Sequence, residues 1–149
     1  MIRFLKSFKN AFNGIIFEAK NGRNFRVQII AAIYCLSISP FFLENKTQWA
    51  VVIILCTLVL SAELFNAAIE KNCDRITTEY DEKIKNIKDM AAGAVLILSV
   101  CSVAVAAVFF ANEKGINRFF DYCKDNIWYP LVLVIFIIPS IVFIKGKKN

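Results

Sequence analysis

Four side chains with oxygen acceptors, Glu63, Asn66, Glu70 and Asp74, stand at offsets of three, seven and eleven residues in a stretch that starts as a purely apolar run at Trp49. At about 100° per residue these offsets fall on one narrow helical stripe. An acid far inside an apolar helix costs roughly 2.5–3.5 kcal/mol on insertion scales, so its presence there points to a function. Grouped oxygen donors suit a hard cation. Magnesium takes one or two protein carboxylates and completes its shell with water and substrate phosphates. Lys88 and Asp89 follow at the mouth of the next apolar run, where an ammonium and a helix N-terminus would hold phosphate oxygens. Glu63, the deepest acid, is placed to meet a hydroxyl arriving from the lipid side. Cation, phosphate clamp and buried base are together the parts of a phosphoryl transfer. None of the five glycines opens a Gly-Lys-Ser/Thr sequence, which excludes a Walker A loop, and the absence of histidine excludes His-activated nucleophiles and His-bound metals.

The elements that position these groups are legible from composition. The chain has 149 residues, 58% of them hydrophobic, and apolar runs of spanning length recur along it. That profile predicts an all-α integral membrane protein. Residues 2–20 read as an amphipathic helix lying in the headgroup plane, with Phe4, Leu5, Phe8, Phe12, Ile15 and Ile16 on one arc and Lys6, Lys9, Asn10 and Asn13 opposite. Three core spans follow at about 27–43, 49–70 and 90–111, the last opening with the small cluster Ala91-Ala92-Gly93. A polar connector at 112–126 leads to a fourth, C-terminal span from about Ile127 to Ile144, with Trp128 and Tyr129 as interfacial anchors. The expected organisation is a core over 1–111 and an appendage over 112–149.

The net charge of +6 does not indicate a nucleic-acid partner, because Lys and Arg sit at the ends of the apolar runs. Arg3, Lys6, Lys9, Lys20, Arg23 and Arg26, the charged stretch 71–89, and Lys145, Lys147 and Lys148 all fall on one side, which the positive-inside rule assigns to the cytoplasm. The five cysteines include no CxxC pair and read as small apolar residues rather than a disulfide or zinc framework.

Ala62-Glu63-Leu64-Phe65-Asn66-Ala67-Ala68-Ile69-Glu70, Asp74-Arg75-Ile76, Glu79-Tyr80 and Lys88-Asp89-Met90-Ala91-Ala92-Gly93-Ala94-Val95 closely resemble the signature of the small prokaryotic membrane diacylglycerol kinases and their undecaprenol kinase relatives. Arg23-Asn24-Phe25-Arg26 looks like that family's start of its first span. The resemblance covers about residues 8–111. It implies a homotrimer in the bacterial inner membrane, with sites formed between protomers and facing the cytoplasm, that transfers the γ-phosphoryl of MgATP to a lipid alcohol. It implies Glu63 as general base, Glu70 as a ligand of Mg2+, and Asn66, Asp74, Lys88 and Asp89 as groups that bind or position nucleotide, metal and phosphates. Diacylglycerol, giving phosphatidic acid, is the acceptor favoured by Asp74-Arg75-Ile76; Arg23–Arg26 and Ala91–Val95 lean towards undecaprenol. Two features depart from the pattern. A metal-binding glutamate is usual where this chain has Gly22, with Glu18 and Asn21 as possible substitutes, and Gln28 stands where the undecaprenol branch often has histidine. The fourth span is also additional.

Each residue has a blander reading by itself: Glu63 a paired buried acid, Glu70 and Asp74 solvated helix-end charges, Asp89 an N-cap, Lys88 a snorkelling cation. The missing acid at Gly22 also permits a non-catalytic scaffold descended from such a kinase. The scaffold reading predicts that Glu63→Gln leaves function intact. The kinase reading predicts a fall of about 10²-fold or more in phosphate transferred from labelled ATP.

Overall fold

The computed structural model describes residues 2–146; Lys147 and Lys148, counted above with the inner charges, lie outside them. Among the described residues seven helices run in order: α1 (Ile2–Asn21), α2 (Arg23–Phe42), α3 (Lys46–Ile76), α4 (Glu82–Phe110), α5 (Glu113–Asp125), α6 (Trp128–Ile135) and α7 (Ile137–Lys145). No strand occurs among the described residues. Four units are long and apolar enough to cross a membrane: α2, α3, α4, and α6 with α7 taken together. The chain is an all-α, multi-pass membrane protein.

The element on which the others pack is α3. Its neighbours are α4 and, on another flank, α2. Val52, Val59, Ala67 and Cys73 of α3 are buried with Phe25 of α2 and Val95 of α4, while residues such as Ile54, Leu96, Ile97 and Val103 stay exposed. An apolar exterior is what hydrocarbon requires; with little hydrophobic drive between helices in lipid, packing and hydrogen bonds hold the bundle. Gly22 alone separates α1 from α2 and adopts extended backbone (φ −87, ψ 114). Around this elbow α1 turns across the bundle, leaving Phe4, Phe8 and Phe12 exposed and pairing Glu18 with Lys71 of α3. The Lys71 ammonium also lies 5.5 Å from the centre of the Phe17 ring.

Several boundaries differ from the sequence expectation. Only 77–81 of the charged 71–89 stretch is non-helical: Asp81 Oδ1 accepts from the N–H groups of Lys83 (2.8 Å) and Ile84 (3.1 Å) and caps α4. Lys88 and Asp89 therefore lie two turns inside α4, not at its N-terminus, and the phosphate-binding helix end expected there does not exist. The 112–126 connector is helical rather than irregular. It forms α5, capped by Asn112, whose Oδ1 accepts from Gly115 N–H at 2.6 Å. Phe119 and Tyr122 of α5 pack on Phe41 of α2, with ring centres 5.3 and 5.2 Å away.

The fourth span is broken at Phe136 rather than continuous. Pro139 supplies no N–H to the turn before it, and its ring crowds the Ile135 carbonyl. The span returns antiparallel along α2, held by three side chains that bond to backbone. Tyr129 Oη donates to the Ser37 carbonyl (2.8 Å), Tyr34 Oη to the Leu133 carbonyl (3.3 Å), and Arg26 to the Ile144 carbonyl. Tyr129 is thus a packing residue in the Phe41 aromatic cluster, while Trp128 is exposed at the start of the span as expected. Gly93 is not at a close helix contact, since a Cβ on it would meet nothing within 4 Å.

The α5–α2 contact relies on a missing side chain. A Cβ on Gly115 would lie 2.5 Å from Phe42 Cδ1 and 2.9 Å from Asn112 Oδ1. Gly115→Ala is expected to destabilise the protein by about 1–3 kcal/mol through overpacking, read as a lower thermal midpoint in detergent.

Candidate phosphoryl-transfer site

The acid stripe faces the protein where it lies deepest. Glu63 is 5% exposed and Asn66 is 4% exposed. Asn66 Nδ2 donates to Glu70 Oε1 at 3.0 Å, so Asn66 and Glu70 share one face of α3 as the spacing requires. The Asn24 amide of α2 stands beside the Glu63 carboxylate, and the carboxylates of Glu70 and Glu18 lie within Coulombic reach of it. Towards the end of α3 the stripe emerges from the bundle, and Glu70 and Asp74 are exposed.

Lys88 of α4 closes the outer end of the group. Its ammonium donates to Asp74 Oδ1 at 2.5 Å, and the Glu70 charge also reaches it. Lys88 lies outside the apolar run of α4, and the hydrogen bond it donates to Asp74 raises its pKa above the ordinary lysine value. Asp89 points elsewhere: it is exposed and takes no hydrogen bond or ion pair among the described residues. Of the six residues expected at the site, Glu63, Asn66 and Glu70 are gathered, Asp74 and Lys88 form a pair beside them, and Asp89 is left apart.

The third helix of the site is α1. Glu18 is 7% exposed, paired with Lys71, and its carboxylate lies directly against Gly22. A Cβ at position 22 would sit 2.7 Å from Glu18 Cδ and still closer to its Oε1. The absent side chain at Gly22 is therefore the space that the Glu18 carboxylate occupies. Asn21 does not take that place; its Nδ2 donates to the Phe17 carbonyl (2.7 Å) on the exposed side of α1. Gln28 lies farther along α2 and lines an apolar cavity of about 270 Å³ with Cys35, Val59 and Ser102.

No cluster of three or more Asp, Glu or Cys residues among the described ones could enclose a metal by itself. One acceptor nonetheless awaits a partner: Asn66 Oδ1 is buried and makes no hydrogen bond. A buried carbonyl oxygen left unpaired costs about 1–3 kcal/mol, so such atoms mark sites completed by something else. With Glu70 one helical turn away, the donor set fits a hard cation that takes most of its ligands from phosphates and water.

Two members of this group were not singled out by sequence. Lys71 follows Glu70 and read as one more charge in a dense run. Asn24 read only as part of the Arg23–Arg26 segment; a polar amide one turn before an apolar span was its available signal.

A helical membrane domain with acids buried beneath a surface helix carries a functional site at the membrane interface. The model of the prokaryotic diacylglycerol kinase family matches residues 9–110, from α1 to the end of α4. The chain is 38% identical over 109 residues to the undecaprenol kinase of Bacillus subtilis, covering 72% of this chain and 88% of the relative. It is 33% identical over 100 residues to a diacylglycerol kinase of Helicobacter pylori (62% and 77%), and 30% identical over 113 residues to that of Escherichia coli K12 (76% and 93%). The chain belongs to the prokaryotic diacylglycerol kinase family and is a membrane lipid kinase that uses ATP. The helices α5–α7 lie beyond the matched region.

Gly22→Ala is expected to drive the Glu18 carboxylate off the elbow and away from Lys71. Because misplacement of about 1 Å can cost on the order of 10²-fold, phosphate transfer should fall at least several-fold while helix content by circular dichroism stays unchanged.

Proposed function

We propose that this chain transfers the γ-phosphoryl of MgATP to the hydroxyl of a membrane lipid alcohol at the cytoplasmic face of a bacterial inner membrane. The burial of Glu63 beside Asn66 and Glu70, under α1, is the observation that carries this reading. Glu63 acts as general base: it is buried at lipid depth on a face shielded from hydrocarbon, where a lipid hydroxyl can reach it. Glu70 and the unpaired Asn66 Oδ1 hold the cation; Asp74, Lys88 and Asp89 position the nucleotide and its phosphates. Mg2+, when bound, neutralises charge developing on the transferred phosphoryl group. The ammonium of Lys88, already paired with Asp74, supplies a second positive charge for the same purpose. Asp89 reaches the phosphates only if its side chain turns inward on nucleotide binding. Glu18 provides the acid that position 22 lacks.

Two observations bear on the acceptor. Asp74-Arg75-Ile76 resembles the diacylglycerol branch. The 38% identity to an undecaprenol kinase, against 33 and 30% to diacylglycerol kinases, favours a polyprenol and rests on 109 residues rather than three. Undecaprenol is therefore the leading acceptor and diacylglycerol the second.

A homotrimer with sites between protomers accords with Gly93, which opens onto space, and with the exposed apolar face of α3 at Leu58, Phe65 and Ile69. The match over 9–110 supports a kinase core at 1–111 with an appendage at 112–149.

Purified protein in lipid nanodiscs should move label from [γ-32P]ATP to undecaprenol faster than to diacylglycerol; inertness towards both would overturn the assignment. In the same assay Glu70→Gln should raise the Mg2+ concentration needed for half-maximal rate by about tenfold or more, the loss expected when a metal's carboxylate partner is removed.

A further inference from the structure

Arg26 is a buried cation bonded to backbone. It is 5% exposed, forms no ion pair among the described residues, and gives its donors to backbone. Nη1 donates to the Lys20 carbonyl at 2.6 Å, at the C-terminus of α1. Nη2 and Nε donate to the Ile144 carbonyl at 3.1 and 3.3 Å, at the C-terminus of α7. The last carbonyls of a helix lack intrahelical partners and carry the negative end of its dipole. Two such ends, 124 positions apart in the chain (Lys20 and Ile144), thus converge on a single guanidinium. Its planar fork can serve both, which a lysine's point charge cannot do equally.

A second feature was built for the same contact. Gly146, just past α7, has φ +67 and ψ 172, a conformation essentially confined to glycine. A Cβ there would lie 2.7 Å from Arg26 Nη2 and 3.1 Å from Cζ. Both the backbone conformation and the absence of a side chain let the guanidinium reach Ile144.

Arg26 sits one turn after Gly22 and two residues after Asn24. The elbow it braces therefore carries Glu18 on one arm and Asn24 on the other, the two groups that approach Glu63 from outside α3. We propose that the C-terminal span is a positioning element for the phosphoryl-transfer site: α7 anchors Arg26, and Arg26 locks the α1–α2 elbow so that Glu18 stays against Gly22 and Lys71 and Asn24 stays beside Glu63. Arg26 is a positioning residue and α7 its support. The inference rests on the kinase reading for its consequence, though the clamp itself can be tested without turnover.

The experiment uses the full-length protein in nanodiscs and compares wild type with Gly146→Ala, Arg26→Lys, Arg26→Gln and a chain ending at Asn126. Hydrogen exchange of the 17–26 amides reports the elbow, that of 95–108 the bundle, and steady-state kinetics separate kcat from KM for ATP. Gly146→Ala and Arg26→Gln are expected to speed exchange at 17–26 while leaving 95–108 unchanged, and to lower kcat about tenfold with a smaller change in KM, as expected for loosened positioning. Arg26→Lys should recover part of both effects, and the shortened chain should resemble Arg26→Gln. Unchanged exchange at 17–26 in Gly146→Ala and Arg26→Gln would overturn the clamp, even if the shortened chain fails to fold. Faster exchange with unchanged kcat would overturn its role in positioning. Wild type that phosphorylates no lipid alcohol would overturn the kinase reading instead, with the exchange result still deciding whether the clamp exists.

Discussion

A carboxylate cannot sit in hydrocarbon, and the position of Glu63 makes that constraint govern this fold. The penalty for an exposed acid at membrane depth is several kcal/mol, enough to dominate the choice of which face of α3 turns inward. Once Glu63 faces the bundle, helical periodicity carries Asn66 with it and brings Glu70 and Asp74 out where α3 leaves the apolar layer. Something must then cover the inner end of the stripe. The start of α2 does so with Asn24, and α1, turning on Gly22, does so with Glu18. The surface helix is more than a membrane anchor here, since one residue on its inward face belongs to the acid group.

Gly22 shows how the lack of a side chain makes room for a carboxylate from the preceding turn. A side chain at that position and the Glu18 carboxylate would occupy the same space. With glycine at 22, an acid one helical turn earlier reaches the same point, held there by Lys71. The same economy of space recurs at Gly146, where the lack of a side chain admits Arg26 to the end of α7. In both places a glycine gives way to an ionic group that connects α1 to the rest of the bundle.

The core of the fold was legible because its signals are local. Apolar runs set the spans, and offsets of three, seven and eleven set the stripe. Asn66 and Glu70 are bonded as that spacing requires. Where charge density was taken for loop, sequence misled. The run 71–89 hides a long helical start to α4 behind Asp81, although Ile84 and Ile87 already carried a helical period. The stretch 112–126 hides α5, although Ile116, Phe119, Phe120 and Cys123 repeat at helical spacing. The helix end expected at Lys88 and Asp89 lies instead at Asp81, two turns earlier. What no local pattern could reveal is tertiary: the Glu18–Lys71 pair joins residues 53 apart, and Arg26 meets Ile144 across 118.

The claim on which the site depends is that α1 of a chain covers the acid stripe of that same chain. The most direct measurement places thiols at both ends of the ion pair, Glu18→Cys with Lys71→Cys, in a chain whose five native cysteines have been replaced. A short bismaleimide is added to the protein in nanodiscs, and the products are resolved by denaturing gel and mass spectrometry. A crosslink within one chain, running with the monomer, is the expected product. A product running as a dimer would contradict the claim, because α1 would then cover a neighbour's stripe, and no crosslink would mean that α1 does not lie over α3 at all.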